Sequence, residues 1–150
     1  MNRFKTILAM LAFVLLAISC QKDDTPKVEY LDVTPNNISG NWKLVEWNGQ
    51  PLSGGTYFYV QLTRKDREFT IWQNFDSMLS YPHQLTGEYN IQIDVEKGAI
   101  IEGQYDFDGG FWSYKYEIND LTADSMTWVA VEDESFTQKF IKVDSIPVKE

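Results

Sequence analysis

Residues 105–118 read Tyr-Asp-Phe-Asp-Gly-Gly-Phe-Trp-Ser-Tyr-Lys-Tyr-Glu-Ile. Asp108-Gly109-Gly110 supplies turn chemistry, because glycine reaches the positive φ that a tight hairpin turn demands. Beyond it, Trp112, Tyr114, Tyr116 and Ile118 alternate with Ser113, Lys115 and Glu117. A period of two puts the rings on one face and the polar groups on the other, as in a half-buried strand. Strands joined by so short a turn run antiparallel.

The same grammar extends in both directions. From Gly40 onward, aromatic and β-branched residues are dense, and no window keeps a helical repeat. Eight strands are predicted, over 41–48, 56–63, 68–75, 84–93, 99–107, 111–119, 125–132 and 135–143. Asn48-Gly49, Gly54-Gly55 and Lys97-Gly98 punctuate them, and only the stretch around 76–83 is a long connection. Tyr89, Ile91 and Ile93 share one face of the fourth strand, as Phe58, Val60 and Leu62 do on the second. One apolar face on each of eight meandering strands has two solutions, a closed up-and-down barrel or a two-sheet antiparallel sandwich. Closure removes exposed edges, and eight strands enclose room for side chains or one small ligand.

The N-terminus is of another kind. Arg3 and Lys5 precede an apolar run from Ile7 to Ile18, and Ser19 stands before Cys20, the one cysteine of the 150 residues. That layout is a secretory signal, and the run is shorter than the ~20 apolar residues that span a bilayer. Leu16-Ala17-Ile18-Ser19-Cys20 resembles a bacterial lipoprotein signal, with Leu four rather than three residues ahead of the cysteine. The resemblance implies removal of residues 1–20 and acyl chains on Cys20. Removal takes two of the 13 basic residues and no acid, leaving 11 against 22 and a net charge of −11. Such a surface does not suit nucleic acid, whose binding rests on a basic footprint, and it is repelled by anionic headgroups. Contact with a membrane is therefore expected through the acyl anchor alone. With no second cysteine, disulfides and thiolate metal sites are excluded. Residues 21–37 carry two prolines and many charges and are expected to be a polar tether. Thr34-Pro35 is placed to open one helical turn, with Thr as the N-cap. Residues 38–150 suffice for a single domain.

The opening Ile38-Ser39-Gly40-Asn41-Trp42-Lys43-Leu44-Val45 resembles that of a lipocalin-like (calycin) barrel. Gly87-Glu88-Tyr89 and Leu121-Thr122-Ala123-Asp124-Ser125-Met126 extend the likeness to the lipocalin-like lipoproteins of Bacteroidetes-type bacteria. The resemblance implies that Trp42 plugs one end of the barrel under a basic side chain of the last strand, Lys142 or else Lys139. The departure is that the family usually has arginine there. Lys22, Asp23 and Asp24 after Gln21 resemble the export signal of surface lipoproteins. That implies an outer-membrane protein facing outward; solvated linker charges facing the periplasm are the alternative.

Chemistry is scarce. His83 is the one histidine, so neither a typical zinc site nor a catalytic triad assembles around it. Asp106 to Gly110 resembles the start of a calcium loop, with Glu117 twelfth, but Phe111, Trp112 and Tyr114 fill the interval with strand residues. No phosphate-cradling loop or hydrolase signature occurs. No catalytic residue, cofactor or metal ligand is read from the chain, and a hydrolase is the weakest expectation. Tyr89, Tyr105, Tyr114, Tyr116 and Trp128 are expected to line a cup for a small apolar or aromatic ligand. The alternative is a filled barrel acting as an interaction protein through acidic loops or an outer aromatic patch of Tyr57, Tyr59, Trp72 and Phe111.

Overall fold

The computed structural model describes residues 26–75 and 83–147. The chain forms a closed barrel of eight antiparallel strands, with one additional two-residue strand and one helical turn. In chain order these are β1 (Gly40–Trp47), β2 (Gln50–Pro51), β3 (Phe58–Leu62), β4 (Glu68–Gln73) and β5 (His83–Asp94). They continue as β6 (Gly98–Tyr105), β7 (Tyr116–Asn119), β8 (Ser125–Ala130) and β9 (Thr137–Val143). Each strand pairs with the next, except that the β2 flap pairs only with β1, which takes β3 as its further neighbour, and β1 pairs with β9 to shut the ring. That last ladder, from Asn41 opposite Val143 to Trp47 opposite Gln138, decides for the barrel and against the sandwich. Val45 sits where its register shifts, as a bulge that bends the first strand around the core.

The helical turn Pro35–Ile38 forms as its sequence predicts: Thr34 is the N-cap, its hydroxyl accepting from Asn37 N at 3.2 Å, with Pro35 at the first position. It delivers Ile38 to the core, where it and Trp42 are both fully buried. The indole N–H of Trp42 donates to Ile38 O at 2.8 Å, so the ring is satisfied as well as buried. Lys142 stands over that ring with Nζ 5.1 Å from its centroid, while Lys139 instead reaches Glu46 at 3.6 Å. Gly40 is favoured by its φ of +129°, which L side chains rarely adopt. Leu31 N donates to Leu121 O, so the chain joins the packed domain ahead of the helical turn. The Leu121-to-Met126 phrase is a compact turn in which the Thr122 hydroxyl accepts from Asp124 N and Ser125 N.

Strand ends depart from the alternation reading where turns win. The predicted strand 111–119 is regular only from Tyr116. Ile101 pairs with Tyr116 and Gln104 with Phe111, so three steps along β6 face five along its partner, and residues 112–115 bulge. The parity still holds, with Tyr116 and Ile118 buried and Trp112 and Tyr114 packed on the core. Ile93, expected inside, is 74% exposed. β4 ends at Glu68, opposite Glu88, and Tyr89 N makes the last bond, to Arg67 O. Period-two alternation then aims the N–H and C=O of Ile91 and Ile93 at a side where no described strand follows. The β5–β6 hairpin overhangs there, carrying exposed Ile93 and Val95.

Replacing Trp42 with Ala should lower the free energy of unfolding by about 3–5 kcal/mol, as for other buried large-to-small changes. Lys142→Met should cost about 0.5–1 kcal/mol, because its ammonium is exposed to water. Urea denaturation of the two variants checks the order.

Candidate functional site

At the end away from Trp42, rings crowd the barrel mouth. Trp47 meets Phe75 and Phe136 edge-on at 4.9 and 5.0 Å, and Tyr114 lies 4.9 Å from Phe136. Below them a second layer fills the interior: Trp128 packs on Phe140 at 4.7 Å and Tyr116 at 5.4 Å, and stacks with Trp112 at 5.5 Å. Between the layers lies a cup of about 120 Å³. Its walls are Trp47, Phe58, Ile71, Gln73, Tyr105, Trp112, Ser113, Tyr116, Trp128 and Gln138. Pockets for drug-sized molecules run to ~300–1,000 Å³, whereas an apolar cavity of ~150 Å³ accepts a benzene ring. The barrel is therefore mostly filled, and what is left suits one ring.

Among the described residues the cup has no charged wall. Burial raises the pKa of Tyr116, with Tyr105, Tyr114 and Glu132 adding smaller increments in the same direction. Burial, and then the Asp108 carboxylate, raise that of Tyr105. Both hydroxyls thus stay protonated at neutral pH and offer a donor as well as an acceptor. Gln138, only 5% exposed, and Gln73 add carboxamides. Among the described residues no carboxylate lines the cup, and no nucleophile–base pair is assembled there. The depressed pKa of Asp94 has a local cause, since its carboxylate accepts from Lys97 N and Glu96 N in an exposed turn.

Outside the wall, where β6 and the bulge part, lies a cleft of about 430 Å³. Glu102, Phe111, Tyr114, Lys115 and Glu132 line it together with Trp112 and Ser113. Glu102 accepts from Lys115 Nζ and from Gln92 Nε2, each at 2.9 Å. Trp112 turns its ring across the wall over Gly103, whose missing side chain leaves the space that the indole takes. Its Nε1 is the buried side-chain polar atom that finds no partner among the described residues. An unpaired buried donor costs about 1–3 kcal/mol.

Of the expected lining, Tyr105, Tyr116 and Trp128 reach the cup. Tyr114 faces the outer cleft instead. Tyr89 ties its strand to the β3–β4 turn, donating from its hydroxyl to Thr63 O at 2.8 Å, and lines a separate surface groove. Both were assigned by inward parity, which does not say at what depth of a tilted barrel a residue lies. Sequence reasoning missed Gln73 and Gln138. Their signal was visible: each is a polar residue at an inward position, Gln73 after Phe69 and Ile71, Gln138 between Phe136 and Phe140. The outer patch does not form: Phe111 is 63% exposed, but Tyr59 is only 9% exposed and Tyr57 and Trp72 are half-buried.

The Asp108 turn is a plain hairpin, its carboxylate accepting from Gly110 N at 2.8 Å. Among the described residues no group of three or more His, Cys, Asp or Glu is placed to hold a metal. Cys20, Lys22, Asp23 and Asp24 lie outside the described residues, and of His83 only its place at the start of β5 is described. Comparison with known proteins returned no matching family, no matching characterised protein and no matching solved structure.

The raised pKa of Tyr116 carries a sign. In the unfolded chain it ionises near its ordinary value of 10.0, whereas the folded barrel keeps it protonated. Stability is therefore intact below pH 10 and falls as pH rises above it. Tyr116→Phe should flatten that alkaline loss, read as a smaller drop in urea midpoint between pH 9 and pH 11 than in the parent.

Proposed function

We propose that this chain is a lipid-tethered, extracytoplasmic binding protein of lipocalin-like type, holding a neutral, ring-sized group of its ligand in the cup. The single observation that carries the ligand class is the cup: about 120 Å³, walled by rings, uncharged among the described residues, with carboxamides and hydroxyls at its side. A charged group would lose its hydration there without a counter-ion. A larger group does not fit beside Trp112 and Trp128. The anchor rests on the Leu16-to-Cys20 stretch, and display on the outer face of the outer membrane on Lys22, Asp23 and Asp24. The barrel class rests on the Gly40-Asn41-Trp42 opening together with its Lys142 cover.

Titration with toluene and benzyl alcohol, followed by the indole N–H resonances of Trp47, Trp112 and Trp128, tests the ligand class. Saturable shifts are expected with a Kd on the order of 0.1 mM, about −5.5 kcal/mol, within the ceiling for seven or eight heavy atoms. With no ionisable group but Tyr105 and Tyr116 among the described wall residues, the Kd should stay flat from pH 5 to 9. Gln138→Leu should weaken benzyl alcohol and spare toluene. Absence of saturation at millimolar ligand overturns the reading. For the anchor, Cys20→Ser should move the protein from the membrane pellet to the soluble fraction. Replacing Lys22, Asp23 and Asp24 with Ala should protect the tethered form from protease added to whole cells.

Exposed Phe107 and Phe111, at 69% and 63%, favour a second reading, an accessory protein that contacts a partner through the β6–β7 hairpin. Loss of a co-purified partner from a Phe107→Ser/Phe111→Ser double variant would mark that role.

A further inference from the structure

We infer that the outer cleft and the cup are two ends of one site, divided in this structure by the Trp112 indole, and that the site takes an elongated amine with an apolar ring or short chain at its far end. The inference rests on the cup being a ligand site, as proposed above, and adds what the ligand carries beyond its ring. Three independent features of the wall meet at this point. Trp112 and Ser113 line both the cup and the cleft, so the two spaces have a shared partition one residue thick. The partition belongs to the bulge between β6 and β7, whose ladder has only the Ile100–Glu117 and Ile101–Tyr116 pairs before it parts. The indole spans the wall with its N–H unpartnered, seated over a glycine rather than held by a hydrogen bond.

A ring that is packed but not hydrogen-bonded can turn outward without breaking a polar contact, and doing so gives Nε1 access to water or to a ligand. With the indole turned, the 120 Å³ cup opens into the 430 Å³ cleft, and the joined space falls in the range of ordinary ligand pockets. The chemistry of the outer end then selects the head group. Lys115 is already neutralised by Glu102 at 2.9 Å, which leaves Glu132 as the exposed charge of the cleft with no ion pair among the described residues. Phe111 and Tyr114 line the same cleft, and aromatic rings attract cations. The chain as a whole is acidic, at −9, which draws cations and repels carboxylates. An ammonium in the cleft and a ring in the cup satisfy both ends at once.

Phenylalkylamines with two to six methylenes, set against phenylalkanoates of equal length and against toluene, test this by calorimetry. The amine of best length should bind about tenfold or more tighter than toluene, and the matching acid no better than toluene. Glu132→Gln, an exposed change, should remove most of the amine's advantage and leave the toluene affinity in place. Trp112→Ala should raise the affinity and the association rate of the amine; should that variant not fold, Ser113→Gly, which loosens the partition, should raise the association rate alone. The inference is overturned if toluene binds but amine and acid bind alike, or if Glu132→Gln leaves the amine unchanged. Failure of toluene itself instead overturns the cup as a ligand site.

Discussion

The ladder between β1 and β9 is the constraint on which the remaining structure depends. It joins strands almost a hundred residues apart, and its loop-closure entropy is repaid only when all the intervening hairpins are in place. Without it, β1 and β9 would each present a free edge, and the two rows of inward side chains that meet on Phe140 and Leu44 would face water. With it, Trp42 has a floor to plug, Lys142 a ring to cover and Gly40 a reason to be glycine. The family of long-range contacts that follows makes this a high-contact-order fold, of the kind that folds in milliseconds to seconds rather than microseconds.

Closure also explains how little space is left inside. An eight-stranded barrel encloses just enough volume for its own side chains, and this one spends that volume on Trp42, Phe69, Trp128 and Phe140. The cup survives because two inward positions near the mouth carry something other than a large apolar group, Gln73 and Gln138. Shape at this site is set by exceptions to the inward pattern rather than by the pattern itself.

That distinction marks what could be read from the residues and what could not. The Lys142 cover follows from the resemblance of the Gly-x-Trp opening, while the antiparallel meander and the helical turn at Thr34-Pro35 follow from local rules: period two, turn residues and a cap. Closure over a sandwich, the bulge at 112–115 and the exposure of Ile93 do not, because each is settled by where a distant strand ends. The same holds for the candidate site. Tyr105, Tyr116 and Trp128 were legible as inward rings, but Tyr89 and Tyr114 shared their parity and lie elsewhere. Depth along a tilted strand depends on the stagger accumulated around the whole ring, which no single segment encodes. Gln73 and Gln138 were legible in principle, as polar letters in apolar places.

The overhanging β5–β6 hairpin has a consequence for how the molecule behaves among copies of itself. An edge with unpaired backbone groups next to Ile91, Ile93 and Val95 is a template for strand addition, the usual first step toward ordered aggregates. Here the apolar letters never run together: Gln92, Asp94, Glu96 and Lys97 interrupt them, and the Asp94 carboxylate turns the chain back within two residues. Gln92, Asp94 and Glu96 set a polar side chain between the apolar ones at each step, and the turn at Asp94 ends the strand, so the hairpin guards solubility with the same residues that form its turn.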